Sequence, residues 1–167
     1  ERHGQEAERG DGGGREHGAH GVGRAVLDGL LDRLAAPEPF TATLGGARIV
    51  AGPDQVEIDR DAGEFARGGL VSVRLQPGRP AVWDGRFELL TDRPGLTVAA
   101  LRGHAAALSA PERQALKDVP AWARPALPVV LGGTQPTSPL LADGPARARL
   151  LVADRLDAAL GRILREP

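Results

Sequence analysis

Serines, histidines, carboxylates and glycine-rich turns are the parts from which a catalytic centre is built, and this chain offers them in unhelpful spacing. Ser72 lies in a strand-like run, Ser109 sits where a helix begins, and Ser138 falls in a Pro-rich stretch. None occupies the strand-turn-helix elbow that exposes a nucleophile. His17 and His20 are three residues apart, a spacing able to share a cation on a helix. The segment around them is glycine-rich, however, and His104 is distant and His3 terminal. Gly132-Gly133-Thr134 is the one glycine doublet followed by a hydroxyl, but it lacks a lysine and has Pro128 where a phosphate loop needs its first glycine. The acid pairs Asp59/Asp61 and Asp154/Asp157 read as solvated or capping charges.

Arginine is the remaining chemistry. Lys117 is the only lysine among 21 basic residues, and 22 acidic residues balance them to a net charge of −1. Composition therefore announces no nucleic-acid-binding face. Locally, Arg48, Arg74 and Arg86 are expected to project from strands. Arg124, Arg147, Arg149, Arg155, Arg162 and Arg165 outnumber the four acids Asp143, Asp154, Asp157 and Glu166 after residue 120. Arg48, Arg74, Arg86, Arg124, Arg147 and Arg149 are the candidate phosphate or RNA contacts; no residue qualifies as catalytic or metal-ligating.

The elements that must position these side chains follow from periodicity. Residues 1–21 are charged and glycine-rich, too poor in apolar surface to offset their ordering entropy, and read as a disordered lead or linker. Leu27, Leu30, Leu31 and Leu34 then recur at helical spacing, predicting a helix over residues 24–36 that Pro37 and Pro39 stop. Strands are expected at 40–44 and 47–51 around Gly45-Gly46, and at 55–59. A loop at 60–69 leads to a strand at 70–76 with Val71, Val73 and Leu75 on one face. The Trp83–Phe87 hairpin turns on Asp84-Gly85, with Phe87 and Leu89 facing one way and Arg86 and Glu88 the other. A strand at 96–101 completes the set. Ser109-Ala110-Pro111-Glu112 is a capping box opening a helix that ends near Asp118. Strands at 129–131 and 148–152 and a helix capped by Asp154 and running to about residue 165 close the chain. The sum is an α+β domain at 22–167: a small antiparallel sheet or partial barrel flanked by short helices.

Other classes are narrowed by composition. Cysteine is absent, which excludes disulfides and thiolate metal sites and fits a reducing cytosol. No apolar run is long enough for a membrane span. Methionine is absent even at position 1, which points to a fragment or a processed end. Five aromatic residues leave few platforms for stacking bases.

Several strings resemble the C-terminal region of alphaproteobacterial tRNA(Ile)-lysidine synthetases. They are Trp83-Asp84-Gly85-Arg86-Phe87, the helix-then-hairpin entry Leu27–Leu34 with Pro39-Phe40-Thr41-Ala42-Thr43-Leu44-Gly45-Gly46-Ala47-Arg48-Ile49, Pro94-Gly95-Leu96-Thr97-Val98, Ala126-Leu127-Pro128-Val129, and Leu156-Asp157-Ala158-Ala159-Leu160 with Arg165-Glu166-Pro167. The resemblance covers about residues 22–167 and is looser in the last third. It implies a parent enzyme that uses ATP, with Mg, to adenylate the wobble cytidine of an isoleucine tRNA before a lysine amine displaces AMP. That chemistry would belong to an N-terminal catalytic domain carrying a Ser-Gly-Gly-x-Asp-Ser loop. The string does not occur here, so this fragment is expected to bind no cofactor and to help position the tRNA beside its catalytic domain. The alternative is a structural or protein-interaction module without RNA binding of its own, meeting a partner through Trp122 or Leu156–Leu164.

Overall fold

The computed structural model describes residues 17–36, 38–159 and 161. The lead expected at 1–21 falls mostly outside them, as do Pro37, Arg162, Arg165 and the apolar Ile163 and Leu164. The chain divides into two compact units. One holds the first helix and residues through Ala42 with Ile49–Glu57; the other holds Thr43–Arg48 and everything from Ile58 onward. Among the described residues, no helix is long and apolar enough to cross a membrane.

Helix α1 spans His17–Ala35, beginning ahead of the expected start at Arg24. Strands β1 (Phe40–Leu44), β2 (Ala47–Ala51) and β3 (Val56–Arg60) form one sheet in that order. Gly45 and Gly46 make the predicted tight turn between β1 and β2. The loop expected at 60–69 contains a 3-10 helix at Ala62–Arg67.

The second unit carries two further three-stranded antiparallel sheets. One is β4 (Val73–Arg74), β7 (Thr97–Ala100) and β8 (Pro128–Leu131) in that order; Val73 faces Val98, and Val98 faces Val130. The other is β5 (Ala81–Trp83), β6 (Phe87–Leu90) and β9 (Arg147–Leu150), with Trp83 opposite Phe87 and Glu88 opposite Arg149. None of the three sheets closes, so the architecture is the expected α+β mixture and not a barrel. Leu75, Trp83, Phe87, Leu89, Leu96, Val98 and Val130 pack between strands in one apolar cluster. Leu101, Leu108, Leu116 and Val129 make a second beneath helix α2 (Ala110–Ala115).

The capping box at α2 forms as read. Ser109 Oγ and backbone N–H both donate to the Glu112 carboxylate, and Ser138 N–H donates to its other oxygen at 2.7 Å. Glu112 is thereby buried with its lone pairs satisfied, which is the condition for a carboxylate to sit there at tolerable cost. A 3-10 turn at Leu116–Asp118 ends that segment where expected. Helix α3 (Val152–Ala159) starts at Val152, so Asp154 lies in its first turn and is not its cap.

The strand expected at 70–76 is the main departure. Only Val73–Arg74 pairs, because Leu70 takes a φ of +58° and breaks the alternation. Leu70 and Leu75 are buried, whereas Val71 is 67% exposed. Val71 contributes its carbonyl instead, accepting the Trp83 indole N–H at 2.9 Å. Gly132 shows why that doublet is no phosphate cradle: a Cβ there would lie 2.4 Å from the Gly95 carbonyl, so it is a point of close backbone approach.

The hairpin turn has φ values of +50° at Asp84 and +66° at Gly85, and the Arg86 N–H returns to the Trp83 carbonyl, as a type I′ turn requires. A β-branched side chain resists that conformation. Gly85→Val is expected to lower unfolding stability by roughly 1–3 kcal/mol in denaturant melts; an unchanged midpoint would refute the turn assignment.

Candidate functional site

The corner Trp83-Asp84-Gly85-Arg86-Phe87 is the most organised polar feature of the second unit. Strand pairing resumes at Trp83 opposite Phe87, which leaves Arg86 as an extra residue outside the β5–β6 ladder. Such a bulge re-aims a side chain. Arg86 was expected to project outward with Glu88; instead its guanidinium turns inward. Nε donates to Asp84 at 2.7 Å, Nη2 donates to the Ala126 carbonyl at 2.6 Å, and the group lies 4.9 Å from the Phe87 ring centre. Its own carbonyl accepts the Leu151 N–H, tying β6 to the end of β9.

Asp84 is the centre of this arrangement. Its side chain is 4% exposed and lies between Arg86 and Arg60, whose Nε is 3.0 Å from the second carboxylate oxygen without being aligned as a hydrogen bond. Arg60 also donates to the Gly46 carbonyl at 3.1 Å and approaches Glu64 at 3.6 Å. Burial pushes the Arg86 guanidinium below its ordinary pKa, and Asp84 pulls it back. Arginine stays charged through such shifts, so the network is a fixed ion cluster and not a proton donor. Trp83, 1% exposed, and Phe87 stack beneath it with ring centres 6.2 Å apart.

A cleft of about 560 Å³ opens above Arg60, Asp84 and Arg86. Ile58, Leu127, Leu140, Leu150 and Val152 form its walls. Ile58 is 67% and Leu150 55% exposed, so the walls are apolar surface left in water. Its floor carboxylate is paired to two guanidinium groups, Asp59 is a second carboxylate in the lining, and the rest of the wall suits an apolar group.

The six candidate arginines scatter over different environments. Arg74 on β4 and Arg147 on β9 are exposed. Arg149 is exposed but paired with Glu88 at 3.2 Å and Asp154 at 2.6 Å. Arg48 lies over the Trp122 ring at 5.2 Å with its Nε buried and unpartnered. Arg124 donates to the Val119 and Lys117 carbonyls, and Arg86 is in the corner just described. Their partners differ, and Arg86 and Arg124 spend donors on backbone carbonyls.

Sequence reading missed Arg60 and the role of Asp84. The Asp-Gly turn was legible, but nothing local in sequence marked its carboxylate as buried or named the cations that meet it. Asp61, read as a solvated or capping charge, accepts the Gly63 N–H at 3.0 Å and pairs with Arg67 at 2.7 Å at the start of the 3-10 helix Ala62–Arg67. His17 and His20 lie at the start of α1. Among the described residues no group of three or more His, Cys, Asp or Glu side chains could hold a metal ion.

Fold and site together define an α+β module whose polar groups brace its own turns. Over 146 residues the chain is 47% identical to tRNA(Ile)-lysidine synthase of Caulobacter vibrioides, a match covering 82% of this chain and 35% of that protein. The resemblance read from the strings is thus borne out: the chain is related to a segment of such a synthase and spans about a third of the relative's length. No protein-family model matches the chain, and no solved structure matches it.

The Asp61 carboxyl is held below its ordinary pKa, chiefly by the Gly63 N–H and next by Arg67. A lowered folded-state value makes its contribution complete above the unfolded pKa, roughly 4, and lost as pH falls through the lower folded value. Asp61→Asn should therefore lower the melting temperature at neutral pH, with the gap to the parent chain narrowing in acid. A gap of constant size across the acid limb would contradict this.

Proposed function

We propose that this chain is the C-terminal, tRNA-positioning part of a tRNA(Ile)-lysidine synthetase, working beside a catalytic domain that carries out ATP-dependent conversion of the wobble cytidine to lysidine. The 47% identity over most of the chain carries this reading. The shared strings are structural here: the Trp83–Phe87 corner builds a hairpin and not a reaction centre. ATP and Mg are assigned to the catalytic part, because the Ser-Gly-Gly-x-Asp-Ser string does not occur in this sequence. In this reading the chain's exposed arginines, Arg74 and Arg147 foremost, meet RNA phosphates. Arg48, Arg124 and Arg149 are secondary candidates, and Arg86 acts mainly by holding the backbone. A cytosolic location fits both the substrate and the absence of cysteine.

A second reading, a protein-docking module, is favoured by apolar side chains left in water. On α1 these are Val26, Leu27, Leu31 and Leu34; in the second unit they are Ile58, Leu140, Leu150, Val152 and Leu156. The first reading expects an unmodified isoleucine tRNA transcript to bind the folded chain in low salt. Affinity should fall on the order of tenfold or more between about 50 and 200 mM salt, as counterion release requires. No binding in low salt by a folded chain, with self-association in sedimentation, would overturn it in favour of docking.

A further inference from the structure

Four arginines of the second unit are neutralised where they stand. Arg60 and Arg86 share Asp84, Arg67 is paired with Asp61 and Glu64, and Arg149 with Glu88 and Asp154. Other described cations, Arg74 and Arg147 among them, are in no ion pair, and three such cations gather in one place. An open groove of about 500 Å³ runs along α2, and Arg113, Lys117 and Arg124 line it with no carboxylate among the lining residues. Among the described residues no ion pair involves any of the three.

The acids adjacent in sequence form no ion pair with these cations. Glu112, one residue before Arg113, is buried with its oxygens turned to Ser109 and Ser138. Asp118 is exposed and lies outside the groove lining.

The cations are also held in place. Arg113 and Lys117 are four residues apart along α2 and the turn that continues it, so they share a face. Arg113 donates to the Leu108 carbonyl, and Arg124 reaches the Val119 and Lys117 carbonyls at 2.8 and 3.1 Å. Lys117 Nζ donates to the Gln114 amide oxygen at 2.9 Å. Carbonyl partners orient a guanidinium without neutralising it, and they leave other N–H groups to donate outward. The floor is Ala105, Ala106 and Ala110, small side chains that let a backbone approach closely. No aromatic ring lines the groove, so it offers no surface for stacking bases.

We propose that this groove is the phosphate-contact surface of the chain, taking the sugar-phosphate backbone of an RNA strand through Arg113, Lys117 and Arg124 without reading its bases. The inference rests on the tRNA-positioning reading above and relocates its principal contacts from β-strand arginines to α2. Lys117, the single lysine of the chain, becomes a contact residue.

The test compares the parent chain, Arg113→Gln/Lys117→Gln and Arg74→Gln/Arg147→Gln in tRNA-transcript binding across a salt series, with polyglutamate as a second probe. The groove variant should bind tRNA at least about tenfold more weakly and lose roughly 1.5–2 units from the slope of log affinity against log salt. The strand variant should change less. Arg113→Lys should restore most of the affinity, since charge and not fork geometry is required. If the groove variant melts early, Lys117→Glu alone decides, because that side chain is exposed. Equal tRNA binding by parent and groove variant would overturn the groove and leave the tRNA reading standing. A folded parent that binds no tRNA would overturn both. Loss of polyglutamate binding with tRNA binding intact would overturn the RNA assignment in favour of an acidic polypeptide.

Discussion

A carboxylate at a left-handed turn, shared by two guanidinium groups, is the constraint around which the second unit is arranged. Asp84 stands at φ +50° where a non-glycine residue is strained, and its side chain is almost wholly removed from water. Either condition alone is costly; together they persist because Arg60 and Arg86 arrive from β3 and from the bulge after the turn. Through these arginines the turn reaches the Gly46 and Ala126 carbonyls, and so the β1–β2 turn and the segment leading into β8. Trp83 and Phe87 lock the same corner from below by burial and by the indole bond to Val71. A five-residue string therefore ties four stretches of chain that are distant in sequence.

This corner accounts for what could and could not be read from the residues. Asp-Gly between alternating apolar residues announced the turn, and Ser109 with Glu112 announced the capping box, because both are settled within a few residues of chain. Leu27 to Leu34 announced a helix for the same reason. The inward course of Arg86 was not legible, since it depends on a bulge that leaves one residue outside the ladder. Nor was the short β4: Leu70, Val71, Val73 and Leu75 suit a strand, but the positive φ at Leu70 and the demand of Trp83 for the Val71 carbonyl override that pattern. Charge partners were the least legible of all. Arg60 and Asp84 lie 24 positions apart in the numbering, and only the tertiary fold makes them neighbours.

Near-neutral composition also conceals an uneven surface. Several of the second unit's arginines are tied to carboxylates or backbone carbonyls and others stand exposed, so a net charge of −1 says little about any single face. The relation to a tRNA(Ile)-lysidine synthase rests on 47% identity over 82% of this chain. Recognition, in this account, falls to cations that the scaffold holds in place without neutralising.

The claim that the Asp84 ion cluster organises the second unit is tested most directly by a double-mutant cycle on unfolding free energy with Asp84→Asn and Arg86→Gln. Strong coupling, about 1.5 kcal/mol or more, is expected, because each single change strands a buried partner that the double change removes. Additive losses, with coupling within about 0.3 kcal/mol of zero, would show that the pair is incidental and that packing around Trp83 alone fixes the corner.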